Sequence, residues 1–547
     1  MGRIIRTCSL SLVAACLCVP ALADAKTEDV VDLYTAARLA EIGNRSDDAL
    51  KGYIRLYRKA PDSDVLVDRI FDSAIRAGDM AAALRAVRAQ ELSGEVSSEA
   101  PLLLFADAFR RKNWPMALLA ADELSTRSNF RFIAPTLRSW VNVARGAAPN
   151  LPAPDPEGDP LFTYYSDDQR LYLALAAGEY ATAKLGLRTM ASSNSDYTRD
   201  LMLRAVPVIA DQGDGMFADA LLSSAIGTDR LAVNALPVDK QKAKMTAQDG
   251  LSALHVRIAS ALLEQNVNDQ ALVLARIALW HAPDYDPAKL ILAKALSAQG
   301  LEATASDILK AIPQTSYYWP QSIRERAGKL APDAALALAR DALQRLPNSL
   351  SLALLVAQFQ EAAGDVAGAA DSYRALAEAA DKGGFAPRQR AVYRLWLASA
   401  LDNNGNWSVA RSELDAALVI DPNNAQILNY LGYSMLEANE DVPRAMAMVR
   451  KAFEISPDST AIMDSMGWAY FQTGDYPQAV ALLEKATKIS SNDLAINEHL
   501  GDAYWRTGRY RDARFAWRAA AQGAEGEAAT RLSSKIDMGL TQNVSMR

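Results

Sequence analysis

The sequence predicts an all-α fold of tandem helix-turn-helix pairs, and three observations carry that prediction. Half of the 547 residues are apolar while aromatics make up only 7%. Alanine and leucine supply most of that share, a mix that suits helices packed through small side chains and not sheets rich in β-branched residues. A chain of this length exceeds one compact core, so it must be several globular domains or a repeat array. The array is visible near the C-terminus: Gly467 and Gly501, Tyr470 and Tyr504, Gly474 and Gly508, Tyr476 and Tyr510, Ala479 and Ala513, and Ala486 and Ala520 are each 34 residues apart.

Taken from the N-terminus, residues 1–23 read as a signal peptide. Arg3 and Arg6 give a positive start, Leu10 to Val19 a short apolar run, and Ala21-Leu22-Ala23 the small residues a signal peptidase cleaves after. The run is too short to span a bilayer. A second reading is open, because Val13-Ala14-Ala15-Cys16 resembles a bacterial lipobox and would make Cys16 a lipid anchor. Against it, Leu17, Cys18, Val19 and Pro20 stay apolar where a tether is polar. All three cysteines lie in this segment, so cleavage after Ala23 leaves no thiol and excludes disulfides, thiolate metal sites and cysteine nucleophiles. It also removes two arginines and no acid, taking the formal charge from −7 to −9, which argues against nucleic acid and against anionic lipid surfaces as partners of the chain as a whole. No later apolar stretch is long enough for a transmembrane span.

Residues 24–145 read as N-terminal helix pairs: Gly43 and Gly78 stand 35 apart with Ala49, Tyr53, Pro61 and Ala83 in fitting places, and Trp114 with Ala117 marks a degenerate copy. The segment 146–160 carries five prolines and cannot be helical, so it links two blocks. Residues 161–250 hold degenerate repeats, among them Gly178-Glu179-Tyr180 with Ala183, and a polar stretch from Ile226 to Gly250 that departs from the period. Across 251–380, Pro283, Pro313 and Pro347 close units whose second helices carry Ala271 and Ala278, Ala305, and Ala335 and Ala342. A polar insert, Asp381 to Arg390, precedes the best-matched block, 391–522. There the register runs through Ala398, Gly405, Trp407, Ala410, Ala417 and Pro422, then Gly432, Ala445, Ala452 and Pro457. The tail, 523–547, keeps helical character to about Met538, enough to cap the last exposed helix face.

These units resemble tetratricopeptide repeats, 34-residue helix pairs with a small residue where the helices cross, an aromatic a turn later, a small residue in the second helix and a proline before the next unit. In the unit from Ala461 to Asn492, Gly467 permits the close approach, Ala479 matches it, and Tyr470 and Leu483 fill the space where the helices diverge. The resemblance implies a right-handed α-solenoid superhelix whose first helices line a concave groove. Carried onto this chain, the groove positions include Asp402; Asn429 and Tyr433; Asp464, Trp468 and Phe471; and Glu498, Asp502, Trp505 and Arg506. Aromatics mixed with amides and carboxylates suit an extended peptide or a partner helix. They do not match the Lys and Asn clamp by which some relatives grip a C-terminal carboxylate.

Catalytic constellations are not legible. His255, His281 and His499 are distant in sequence and are assigned to separate repeats as surface or packing residues, and HExxH, GxSxG, P-loop and Rossmann patterns do not occur. No cofactor or metal is expected. From Arg506 to Arg518 the sequence RTGRYRDARFAWR places five arginines against one acid, a local basic face. The stretch Leu428 to Trp517 is similar to bacterial envelope repeat proteins, among them lipoprotein adaptors that bring a processing protease to its substrates. That similarity implies a periplasmic, non-catalytic adaptor for protein or peptide partners such as an envelope protease, or, as the alternative, a structural subunit of a polysaccharide-export or outer-membrane assembly.

Overall fold

The computed structural model describes residues 27–540 except 62, 95–96, 154–156, 191–194, 227–243 and 384. The leader, with both processing readings, and most of the polar stretch after Ile226 therefore lie outside the described residues. Twenty-eight α-helices and no strand occur among the described residues. The chain divides into two compact units at Arg326 and Ala327, inside the block 251–380 that the periodicity treats as continuous.

The first unit holds α1 (Thr27–Ile42), α2 (Ser46–Tyr57), α3 (Asp64–Ala77), α4 (Met80–Ser93), α5 (Ala100–Arg110), α6 (Trp114–Arg127), α7 (Ala134–Ala144), α8 (Pro160–Ala177), α9 (Tyr180–Met190), α10 (Asp196–Asp211), α11 (Gly215–Ile226), α12 (Ala247–Glu264), α13 (Asn268–His281), α14 (Asp286–Ala298), α15 (Glu302–Lys310) and α16 (Trp319–Ala327). Local chemistry sets the ends. Gly78 and Gly178 adopt left-handed φ of 86° and 79° to stop α3 and α8. Thr246 and Asp249 form a reciprocal capping box that starts α12. The proline-rich segment is fastened down at both ends: the Asn150 amide donates to Ser139 Oγ at 3.1 Å, and Arg170 donates to the carbonyls of Leu151 and Pro152.

Helices far apart in sequence also meet inside this unit. Both α3 and α5 pack on α13. Arg276 on α13 donates from Nε to the Ile75 carbonyl at 2.9 Å and from Nη2 to the Arg76 carbonyl at 2.7 Å, satisfying the last carbonyls of α3. Asn44 donates to the Gly300 carbonyl at 3.0 Å on the same seam.

The second unit holds α17 (Pro332–Arg345), α18 (Leu350–Ala362), α19 (Val366–Lys382), α20 (Pro387–Asn403), α21 (Trp407–Ile420), α22 (Ala425–Glu437), α23 (Val442–Ile455), α24 (Thr460–Gln472), α25 (Tyr476–Ile489), α26 (Leu494–Arg506), α27 (Tyr510–Ala521) and α28 (Gly526–Met538). The crossing glycines are as tight as the repeat requires. A Cβ on Gly467 would stand 2.7 Å from Leu483 Cγ, one on Gly501 2.4 Å from Trp517, and one on Gly432 2.7 Å from Val449. Leu483 therefore sits at the crossing itself and not where the helices diverge, because the glycine leaves room for a whole leucine and not only for Ala479. First helices of consecutive pairs, α22 with α24 and α24 with α26, pack directly on one another, and the second helices make no comparable contact. The first-helix side is therefore the tighter inner face of this stack.

Candidate functional site

The site starts from the inner face of α20, α22, α24 and α26. Asp402 on α20 accepts the Tyr430 hydroxyl at 3.0 Å. One helix on, Asn429 and Tyr433 are half-buried, and the Asn429 Oδ1 is enclosed with no hydrogen-bond partner. Burial pushes the Tyr433 phenol well above its usual range, helped by the charges of Glu437, Asp464 and Glu498.

The centre of the face is a stack of rings. Trp468 is nearly fully buried, lying parallel to Phe471 at 4.8 Å on one side and to the His499 imidazole at 4.3 Å on the other. Its Nε1 donates to Glu437. His499 Nδ1 pairs with the Asp464 carboxylate at 2.9 Å. Burial opposes the charged ring, yet Asp464, and behind it Asp502 and Glu437, outweigh burial and raise the His499 pKa.

Beyond the rings the face is covered by the chain itself. Helix α28 lays Lys535 between Glu498 Oε1 and Asp502 Oδ2, 2.7 Å from each, while Arg531 chelates Glu498 through two bonds of 2.9 Å. Both acids and the lysine are buried. Burial pushes each carboxyl up. For Glu498 the Arg531 and Lys535 contacts win and hold it down to about 2, whereas for Asp502 burial wins over Lys535 and Trp517 and the value stays raised. Trp505 is half-buried, with Tyr510 edge-on at 4.5 Å and the Gly539 backbone pressed on its ring, and Arg506 is exposed.

The structure thus brings Tyr433, Asp464, Trp468, Phe471, Glu498 and Asp502 into one continuous network, with Asp402 and Asn429 at one end and Trp505 and Arg506 at the other. The repeat pattern placed Glu437 on the same groove but missed His499, Arg531 and Lys535. A signal for Lys535 was present: another 34-residue step from Gly467 and Gly501 lands on it. A lysine there fills the space in which a second helix would cross, and its long side chain reaches back to the acids of the preceding unit.

The first unit holds buried polar clusters of its own. The Asp200 carboxylate accepts hydroxyls from Tyr172 at 2.9 Å and Tyr318 at 2.7 Å and also from Tyr285, with Arg204 3.9 Å above the Tyr285 ring. Arg257 is ion-paired with Asp168 inside a cage of Tyr164, Tyr165 and Tyr197. His255 and His281 correct the sequence assignment: they belong to the two helices of one pair, α12 and α13, and their rings stack at 5.5 Å. Proximity followed from the turn between two helices, which sequence distance conceals.

Comparison with known proteins places this geometry. Family models described as "TPR repeat" and "Tetratricopeptide repeat" match residues 467–508 and 396–460. Those residues are tetratricopeptide repeats. A TPR repeat-containing protein of Pseudomonas aeruginosa is 37% identical over 82 residues, 15% of this chain and 14% of that protein, so the match spans a small part of the relative's length. Among solved structures, yeast Tom70 aligns over 93% of this chain and 96% of its own at 13% identity and a TM-score of 0.35. The Cut9–Hcn1 tetramer aligns over 94% and 96% at 14% identity and 0.37, and pilF of Pseudomonas aeruginosa over 38% and 85% at 21% identity and 0.26.

Proposed function

We propose that this protein is a non-catalytic scaffold of the bacterial cell envelope that holds a partner protein on the inner face of its second unit. The observation that carries the reading is the way α28 sits on that face. A helix presenting two cations four residues apart, Arg531 and Lys535, seats on the acids Glu498 and Asp502, so the face has the charge and width to hold a helix. The neighbouring stretch, with half-buried Tyr433 and the unpartnered Asn429 Oδ1, offers the same kind of surface without a covering helix among the described residues. The tetratricopeptide repeats at 396–508 support protein binding as the mode of action. The leader supports export, to the periplasm after cleavage at Ala23 or to the outer membrane as a lipoprotein through Cys16. An envelope protease or an assembly subunit would be a partner of fitting class.

A photo-crosslinking residue at Tyr433 tests this in envelope extract, beside the same residue at exposed Ser412 on the outer side of α21. A partner captured only from position 433, whose affinity for purified chain falls at least tenfold (about 1.4 kcal/mol) in Asn429→Ala, Tyr433→Ala, supports the reading. Equal capture from both positions sinks it. The self-contact of the first unit favours a second role, a spacer within an envelope assembly, because Arg276 ties α13 to α3 across the unit.

A further inference from the structure

We infer that the outer, second-helix face of the last three repeat pairs is a docking surface for a membrane rich in anionic phospholipid. The inference is independent of the inner face. It begins with a contrast in how cations are partnered. On the earlier second helices of the second unit, α17, α19 and α21, the cations pair with acids: Arg340 with Asp365, Arg345 with Asp341, Arg374 with Asp371, Lys382 with Glu378, Arg411 with Glu440. On α23, α25 and α27 the pattern changes. Arg450, Lys485, Arg511 and Arg518 are exposed and make no ion pair or hydrogen bond among the described residues. The acids within α25 and α27, Glu484 and Asp512, are both already held by Arg509, at 2.9 and 2.8 Å.

Apolar side chains stand exposed among these cations. Phe515 is 61% exposed and Ile489 63%. Phe515 follows Arg511 by four residues and precedes Arg518 by three, so the three share one stripe of α27. In the 34-residue register Arg450 and Arg518 occupy the same place two periods apart; the unit between them has Glu484 at that place, held by Arg509, with Lys485 next to it. A group of unpaired cations with a phenylalanine and an isoleucine exposed on the same helices has two demands, fixed negative charge and an apolar layer behind it. The headgroup region of an anionic bilayer supplies both. Arginine fits phosphate oxygens through its planar fork of donors. The helices are already formed, so docking carries no helix-folding cost and only the exposed side chains are ordered. On an acidic chain such a patch also orients the protein, since the remaining surface is repelled by the same membrane.

Co-sedimentation tests this with purified full chain carrying no lipid at Cys16. Vesicles of phosphatidylcholine alone are compared with vesicles containing roughly a quarter phosphatidylglycerol, at low and high salt. The chain is expected to pellet with the anionic vesicles only and to be released by salt. Each cation near such a surface changes partitioning about fivefold, so Arg511→Glu, Arg518→Glu is expected to lower it by well over tenfold, and Phe515→Ser severalfold with the salt dependence kept. Arg374→Glu, at a paired position on α19, is the control and should change little. All these side chains are exposed, so unchanged melting temperatures verify that the variants are folded. A folded wild type that stays in the supernatant with both vesicles, or a double reversal that pellets as well as wild type, overturns the proposal. So does loss of an acidic protein partner in the reversal variant without any vesicle binding, which would assign the patch to protein instead.

Discussion

His281 is buried with neither ring nitrogen partnered, beside His255, whose Nδ1–H donates to the Leu251 carbonyl at 2.6 Å while Nε2 is left without a partner. Burial depresses both, His255 to about 4 against the pull of its Leu251 hydrogen bond and His281 well below its ordinary value, where the charges of His255 and Arg110 add to the effect. A histidine depressed on folding binds fewer protons folded than unfolded, so its stability contribution is whole above about 6.5 and is lost as pH falls toward about 4. For His255 alone the complete loss is on the order of 3 kcal/mol. His499 has the opposite sign. Its raised value, set by Asp464 against burial, makes a contribution that is whole below the ordinary histidine pKa and lost as pH rises through the raised one. Amide exchange across pH 5 to 9 separates the two. The α12–α13 pair should open toward the acid end and α26 toward the alkaline end. His281→Leu, which places an apolar side chain beside Phe109, should flatten the acid limb, and His499→Gln the alkaline one. An acid limb unchanged by His281→Leu would refute the first assignment.

At the scale of elements, two kinds of glycine give different expectations. Gly467 and Gly501 are helical, and the methyl of alanine would run into Leu483 and Trp517, so Gly467→Ala and Gly501→Ala should cost about 1–3 kcal/mol by overpacking. Gly474 has open space around it and a φ of 84°, so Gly474→Ala meets only the left-handed backbone penalty of about 1–2 kcal/mol. Truncating the clashing partner distinguishes them: Leu483→Ala should relieve part of the Gly467→Ala defect in a double-mutant cycle and leave Gly474→Ala untouched. This much was legible in the sequence because a 34-residue period reports nearest-neighbour packing directly. A helical tail capping the last helix face was expected there, but the ionic seat that holds α28 was not, although Lys535 stands in glycine's register. Its meaning depends on Glu498 and Asp502 being buried, which a period does not disclose. Lys535→Met leaves Asp502 with Trp517 Nε1 and no cation, and a broken buried pair costs about 3–5 kcal/mol. Thermal melting checks it. Neutralising the orphaned acid with Asp502→Asn should recover part of the loss, and a Lys535→Met variant as stable as wild type would show that Leu532 packing and the Arg531–Glu498 pair hold α28 without the lysine.

At the scale of the whole molecule, the least legible feature is the seam inside the first unit, where residues about 200 positions apart share hydrogen bonds. Repeat arithmetic fixes what each pair does to the next, but the return of α13 onto α3 depends on the rotation accumulated over the intervening pairs, including the irregular α7 to α11 stretch. Arg276 marks the spot. Burial lowers its guanidinium pKa to about 10, with Asp47 partly restoring it, and it spends its donors on the free carbonyls at the end of α3. Gly78 lies directly beneath, where an added Cβ would come within 2.7 Å of Arg276 Nη1. Arg276→Met keeps most of the packed stem and removes both bonds, leaving the Ile75 and Arg76 carbonyls without their partner. The expected outcome is a local one: faster amide exchange along α3, α5 and α13, a loss of about 3–6 kcal/mol for two charged hydrogen bonds, and little change in α22 to α27. Arg276→Lys should restore part of the protection, since an ammonium reaches the carbonyls but cannot fork between them. If exchange in α3 stays as slow in Arg276→Met as in wild type, the seam is held by the apolar contacts of α5 with α13, and the guanidinium only follows a closure that packing has already made.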